Sequence, residues 1–483
     1  MLFNSIEFIF IFLPLSVIVY FILLKKHLLT ASKAWLIAAS IFFYNWWNPK
    51  YTPILLFSII FNFAAGNSLS GKKIKIKFPR KSILVFSIIV NLAVLGYFKY
   101  MNFFIGNINA VFNAHIPFFK IVLPLGISFF TFQQITYLCD SYKNLTKEYD
   151  FLNYALFVSF FPGLIAGPIV HHKEIMPQFS NIYTKVLKNK NLSLGLFLFI
   201  IGLAKKVILA DTFSAYVATG YCPHTDISIV EGWLIMLSYT FQIYFDFSGY
   251  TDMALGISKM LNIELPQNFN SPYKAPSIQD FWRRWHMTLS RFLRDYVYIP
   301  LGGSRNGESK TYANLFLTFL LGGLWHGASW MFVIWGALHG AALCAHRFWK
   351  KLNIKLPYGL SVFATFVFVN IAWIFFRAAD MNQAKKILKS LVDFTNFKIP
   401  ETYVFTVKFS GEKVTVYEGM WLMIAIAFFI VFIAENSGTF ISKVTINSKK
   451  KAVLLGVVFA VLFTASLIKM IYVPYSEFIY FNF

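Results

Sequence analysis

Of the chain's 483 residues, 57% are apolar and 13% charged, and the formal charge is +23. A soluble domain carries about 25% charged and roughly 45–50% apolar residues, so this balance excludes an ordinary soluble fold. The apolar residues lie in runs long enough to cross a bilayer, which takes about 20 residues per helix; the alternating segments of about 10 residues that mark a β-barrel are absent, and the chain reads as all-α and polytopic.

The N-terminal stretch MLFNSIEFIFIFLPLSVIVYFILLKKH lacks a basic leader and a small-residue cleavage site, so it reads as a retained first span. Predicted spans follow at 6–24, 34–48, 52–69, 82–101, 120–140, 151–170, 192–212, 229–258, 312–330, 331–349, 358–377, 419–436 and 452–473. With some broken or re-entrant, this gives roughly 11–13 membrane-embedded helices. No internal repeat and no long polar linker interrupts them. Residues 1–483 therefore read as one membrane domain.

The positive charge lies mainly in short loops. It reads as topology information and contact with anionic membrane lipids, and not as nucleic-acid binding. The loop GKKIKIKFPRK (71–81) carries Lys72, Lys73, Lys75, Lys77, Arg80 and Lys81 with no acid, and LLKKHLLTASK precedes it. Both are expected on the cytoplasmic side, which places the N-terminus outside. The basic segment 442–451 is expected inside as well, so the last span runs outward and the C-terminus is periplasmic. The nearly charge-balanced segment 382–418 suits an external loop. Cys139, Cys222 and Cys344 lie far apart and form no metal or redox motif; they read as small core residues.

The chain has 36 lysines and only 8 arginines, yet five arginines fall between 241 and 305: Arg283, Arg284, Arg291, Arg294 and Arg305. Arginine offers a planar, always-charged fork for phosphates and carboxylates. At about 100° per residue, 278–296 forms one amphipathic helix. Trp282, Trp285, Leu289, Phe292, Leu293 and Tyr296 make one stripe, Asp280 and the arginines the other, and His286 falls on the boundary. Asp280 with Arg284, and Arg291 with Asp295, are spaced to pair. Two readings stand for this helix: a basic interfacial helix on lipid headgroups, and a cytoplasmic-side site for the phosphates of an acyl donor.

Asp246 and Asp252 flank FSGYT in an apolar stretch, where ionisable groups face a cavity or a partner. Pairing with an arginine of the block comes ahead of direct chemistry for both. In LLGGLWHGASW (320–330), Gly322 and Gly323 permit a close backbone approach, and His326 sits deep in a span. It reads equally as a hydrogen-bonded core residue and as a catalyst. His339 is a weaker candidate of the same kind. His171 and His172, in GPIVHHKE, do not read as metal ligands, and no metal site is expected.

FQIYFDFSGYTDMALG, LPQNFNSPY, DFWRRWHMTLSRFLRDYVYIPLGG and GLWHGASWMFVIWGALHG together closely resemble the membrane-bound O-acyltransferase (MBOAT) superfamily. The branch resembled holds the membrane subunits of alginate and peptidoglycan O-acetylation, and the likeness runs through most of the chain. It implies a multi-helix MBOAT fold with a central tunnel, a catalytic core at 241–340, and a C-terminal aromatic motif, 474–483, at the outer face. It implies a cytoplasmic acyl thioester, acetyl-CoA, as donor substrate, with no permanently bound cofactor. Arg283, Arg284, Arg291 and Arg294 would hold its phosphates. It implies His326 as the central catalytic residue, with His286 nearer the cytoplasmic mouth. It also implies an inner-membrane location and a periplasmic SGNH-type O-acetyltransferase as partner, modifying peptidoglycan.

Alginate or another exopolysaccharide as target, and D-alanyl or lipid acyl transfer on the same fold, remain alternatives. A transporter is disfavoured, because paired broken helices in two similar halves are not seen. The closing FIYFNF has two readings. One is an aromatic belt at the membrane interface. The other, implied by a similar tyrosine-containing motif in related D-alanylation systems, is an acyl relay through Tyr480. A phenol (pKa about 10) and a thiol (about 8.5) are both fair leaving groups, so an acetyl-tyrosine keeps much of a thioester's transfer potential.

Overall fold

A computed structural model describes residues 1–70, 78–146, 148, 150–181, 186–222, 226–399, 403–409, 412–444, 449–472 and 478–482, with backbone alone at 403–409, 412–418, 449–452 and 481–482. Residues 71–77 and 445–448 of the two basic segments, 473, and 474–477 and 483 of the aromatic motif lie outside the described residues.

The apolar runs fold as helices because a bilayer offers the backbone no hydrogen-bond partner, and a helix satisfies its own N–H and C=O groups. Among the described residues, six helical stretches are long and apolar enough to cross a membrane: Phe8–Lys25, Pro49–Ser70, Arg80–Phe112, Asn189–Gly220, Tyr358–Arg377 and Val453–Tyr472. The pair Met420–Phe432 and Ser437–Lys443, bent by 58°, makes a seventh if it is one span. The spans expected near 229–258, 312–330 and 331–349 are the helices Ile229–Met260, Glu308–His326 and Trp330–Lys351, which carry the ionisable residues of the site. One antiparallel hairpin, Tyr403–Phe409 with Glu412–Glu418, lies in the predicted external loop.

The chain forms two compact units. The first comprises Met1–Leu196 and Ala254–Pro266. Its helices are tied by side-chain amides. Asn62 and Asn91 exchange hydrogen bonds at 3.1 and 2.7 Å, and Gln134 donates to Ser58 Oγ at 3.2 Å. Between apolar helices in lipid such bonds fix which faces meet. His171 Nδ1 lies 3.2 Å from Asp140 Oδ2 and His172 Nε2 lies 3.3 Å from Glu148 Oε2. Both histidines thus have carboxylate partners that sequence spacing does not reveal.

The second unit comprises Phe197–Met253 and Gln267–Phe483, and two close helix approaches shape it. In the Glu308–His326 and Trp330–Lys351 hairpin, a Cβ on Gly323 would stand 2.3 Å from the Phe332 carbonyl oxygen and 2.8 Å from the Gly336 Cα. Where the Asn189–Ala204 and Ile229–Met260 helices cross, a Cβ on Gly202 would stand 2.5 Å from the Gly249 carbonyl oxygen. Small residues let backbones touch in this way. The second approach carries the π-helical turn Lys205–Ala210 against the polar stretch of the Ile229–Met260 helix.

Candidate active site

The single helix predicted over 278–296 is broken. It ends at Arg284, and Trp285 is extended. His286 takes left-handed angles (φ 42°, ψ 54°), and a second helix runs Met287–Leu293. The cause is an exchange of hydrogen bonds. In a continuous helix Met287 and Thr288 would donate to the carbonyls of Arg283 and Arg284. Instead Met287 N–H donates to the Asn268 carbonyl (3.0 Å) and Thr288 N–H to Asn268 Oδ1 (3.2 Å), which also accepts from Thr288 Oγ1 at 2.6 Å. The freed Arg284 carbonyl accepts from Asn270 N–H at 2.9 Å. The LPQNFNSPY segment thus holds the break open. A left-handed residue other than glycine costs on the order of 1–2 kcal/mol, and such strain concentrates at functional sites.

The break moves His286 from the predicted helix boundary to complete burial. Its ring stands edge-on to Phe247, with centroids 4.8 Å apart, and 6.1 Å from Trp325. Burial pushes its pKa down to about 3, so the imidazole is neutral. The arginines stay outside the ring cluster. Arg283 and Arg294 are exposed, while Arg284 and Arg291 are half-buried. Arg284 pairs with Asp280 at 2.7 Å, as its spacing predicts, and Asp295 is bridged by Arg294 at 2.7 Å. Arg283 and Arg284 close the first short helix, Arg291 lies on the second, and Arg294 opens the π-helical turn Arg294–Tyr298 that follows it.

His326 is the last residue of its helix, followed by Gly327 in an extended conformation. Ser329 Oγ then caps the next helix by accepting from Met331 N–H at 3.2 Å. The His326 ring is buried among Trp325 (4.9 Å), Trp335 (5.0 Å) and Phe376 (5.1 Å). His339 is also buried, and its Nδ1 accepts from the Trp282 indole N–H at 3.2 Å. That bond supports the hydrogen-bonded core reading of His339.

Tyr480 completes the cluster. Its ring centroid is 5.7 Å from His326, 6.3 Å from His286 and 4.4 Å from Phe247. Phe478 stacks on Tyr250 at 4.6 Å. Tyr480 is only 8% exposed and Phe478 3%, so both of these rings are buried. The backbone seats them: Ile479 N–H donates to Asp246 Oδ2 at 2.8 Å. Asp246 Oδ1 in turn lies 3.0 Å from Lys206 Nζ, which is 2.7 Å from Asp211 Oδ1. Lys205 pairs with Asp252 at 2.7 Å. The aspartates are structural partners as expected, but the observed ion pairs are to lysines and not to the arginine block. Sequence reading passed over Lys205, Lys206 and Asn268. The adjacent lysines within an apolar run were the available signal, because a charge there needs a partner.

Two histidines and a phenol in a buried, largely apolar cluster suit proton transfer and acyl transfer, and their setting is the FDFSG, RWH and LWHG segments of a multi-pass helical protein. The chain belongs to the MBOAT, membrane-bound O-acyltransferase family, whose model matches residues 10–379. It is therefore an acyltransferase of the membrane. Among its relatives, it is 48% identical over 424 residues to a peptidoglycan O-acetyltransferase of Helicobacter pylori, covering 81% of this chain and 80% of that protein. It is 35% identical over 496 residues to a probable alginate O-acetylase AlgI of Pseudomonas putida, covering all of both. It is also 32% identical over 249 residues to a teichoic acid D-alanyltransferase of Bacillus subtilis, covering 50% of this chain and 63% of that protein.

Proposed function

We propose that this acyltransferase passes acetyl groups from cytoplasmic acetyl-CoA across the inner membrane to a periplasmic SGNH-type partner, which O-acetylates peptidoglycan. The 48% identity to a peptidoglycan O-acetyltransferase supports the acceptor polymer. The observation that carries the mechanism is the burial of Tyr480 beside His326, ring centroids 5.7 Å apart.

In this reading Arg283, Arg284, Arg291 and Arg294 hold the donor's phosphates on the cytoplasmic side, and both chain termini face the periplasm. His326 takes the proton of the Tyr480 hydroxyl. Burial, and the nearby Asp246 carboxylate, hold that phenol well above its ordinary pKa, so a base is required. The phenolate oxygen attacks the thioester carbonyl, a C–O bond forms and the C–S bond breaks. The departing thiolate receives the proton from His326. The resulting aryl acetate is then attacked by the partner's serine hydroxyl, and the tyrosine oxygen leaves and regains a proton. His286, neutral and in the same cluster, orients the reacting groups.

The test is complementation of a deletion strain with Tyr480→Phe and His326→Ala, reading base-released acetate from purified peptidoglycan. Both variants are expected in the membrane at normal level and without acetate. In a strain lacking the periplasmic partner, the Tyr480 peptide should carry an acetyl mass increment in the parent only. Full activity of Tyr480→Phe would overturn the relay. The full-length alignment with an alginate O-acetylase supports a second reading, an exopolysaccharide acceptor. Acetate lost from exopolysaccharide with peptidoglycan unchanged would favour it.

A further inference from the structure

The helices Trp330–Lys351 and Tyr358–Arg377 splay apart near the turn that joins them. The opening is a cavity of about 800 Å³, away from the histidine cluster. Its inner wall is apolar and smooth: Leu338, Ala341, Ala345 and Phe368. Its mouth is basic, lined by Lys350 and Lys355. Charge here is unbalanced. Glu308 engages Arg347 at 2.9 Å and Lys351 at 3.0 Å on the neighbouring face. Lys350 Nζ meets only a neutral partner, Gln279 Oε1 at 2.9 Å, and no carboxylate of the described residues pairs with Lys350 or Lys355. The mouth is also built. Trp349 Nε1 donates to the Ile354 carbonyl at 3.0 Å, which fixes the turn that carries Lys355.

We propose that this groove is a specific site for an anionic glycerophospholipid of the cytoplasmic leaflet. The phosphate sits between Lys350 and Lys355, and an acyl chain lies along Ala341, Ala345 and Phe368. Three features select this occupant. An apolar slot with cations at one end is complementary to an amphiphile with an anionic head. The exposed indole of Trp349 stands where interfacial tryptophans settle. The helix end and short turn that hold Arg347, Lys350, Lys351 and Lys355 form a basic segment of the kind retained on the cytoplasmic side, where the leaflet is negative. Lys350 also bonds the helix that carries Arg283 and Arg284, so lipid occupancy would steady the first half of the broken helix.

The test uses the full chain purified in neutral detergent, with binding read by native mass spectrometry. Dioleoyl phosphatidylglycerol is the probe, dioleoyl phosphatidylcholine the comparison, and acetyl-CoA the competitor. The parent should bind phosphatidylglycerol at least tenfold more tightly than phosphatidylcholine, because each lysine near the head contributes on the order of a fivefold preference. The exposed double variant Lys350→Gln/Lys355→Gln should lose that preference. Ala345→Trp, which fills the slot, should exclude both lipids. Equal binding of the two lipids by the parent overturns the proposal, as does an unchanged preference in the double variant. Displacement of phosphatidylglycerol by acetyl-CoA overturns it too, and would assign the groove to the acyl donor. His326→Ala should bind lipid like the parent, so a failure of the catalytic reading leaves this result intact.

Discussion

The backbone N–H of Ile479 donates to Oδ2 of Asp246 at 2.8 Å inside the second unit, next to the residue whose ring joins the histidine cluster, Tyr480. The carboxylate is held from its other side by Lys206. Asp246→Ala removes the acceptor and takes one carboxylate from Lys206, which keeps Asp211. Because Lys206 keeps a counter-charge, the cost is that of lost charge-assisted hydrogen bonds, about 1.5–3 kcal/mol. The expected result is a lowered unfolding midpoint in detergent, loss of acetyl transfer, and faster carboxypeptidase digestion of the chain's end. Unchanged digestion with lost activity would show that Asp246 acts on the chemistry and not on the seat.

Tyr480→Phe separates the hydroxyl from the ring. The ring packs on Phe247 at 4.4 Å and on Phe478 at 5.7 Å, and phenylalanine keeps both contacts. Stability should therefore stay within about 1 kcal/mol. Acetyl transfer should fall by at least about 100-fold, the scale of losing a group that takes part in the bond changes. His326→Gln should lose a similar factor, because glutamine fills space without accepting and returning a proton. The measurement is acetate transfer per membrane-embedded molecule, with unfolding midpoints alongside.

The centre of the site was legible in sequence because its residues break local rules. His326 is a titratable group in an apolar run, Tyr480 a lone phenol in a phenylalanine cluster, and Asp246 a charge among aromatics. The break at His286 was not legible, because the helical period runs unbroken through 278–296 and the competing hydrogen bonds come from Asn268 and Asn270, remote in sequence. Asp295 is also engaged by its neighbour Arg294 where the chain enters the π-turn Arg294–Tyr298, a contact that helical spacing alone does not predict. Lys205 and Lys206 were absorbed into a span because only the fold brings Asp252 and Asp246 to them.

Burial of neutral His286 makes stability depend on pH with a definite sign. Its native pKa is about 3, against an ordinary value near 6.5. Between these values the unfolded chain binds a proton that the native state does not, so stability is fully present above about pH 6.5 and is lost as pH falls toward 3. At pH 5 the loss from this residue is about 2 kcal/mol. His286→Asn, which tolerates the left-handed backbone, should flatten the profile between pH 6.5 and 4 while abolishing activity. The check is the unfolding midpoint of both proteins across that range. Parallel profiles would mean that His286 is protonated in the native state.

The crossing at Gly202 and Gly249 sets how closely Lys206 approaches Asp246, and it can be perturbed without touching either charge. A Cβ on Gly249 would stand 2.7 Å from the Gly202 carbonyl oxygen and 3.1 Å from Lys206 N, both backbone atoms that cannot swing aside. Gly249→Ala should push the two helices apart and cost about 1–3 kcal/mol, the usual range for overpacking. The Lys206–Asp246 pair would lengthen, and the Ile479 bond with it. The expected signature is a moderate fall in unfolding midpoint with a disproportionate loss of acetyl transfer and increased digestion of the chain's end. Gly163→Ala, where an added Cβ meets nothing within 4 Å, should leave all three readouts near the parent's. Loss of stability in Gly249→Ala with full activity would show that the seat of Tyr480 does not depend on this helix spacing.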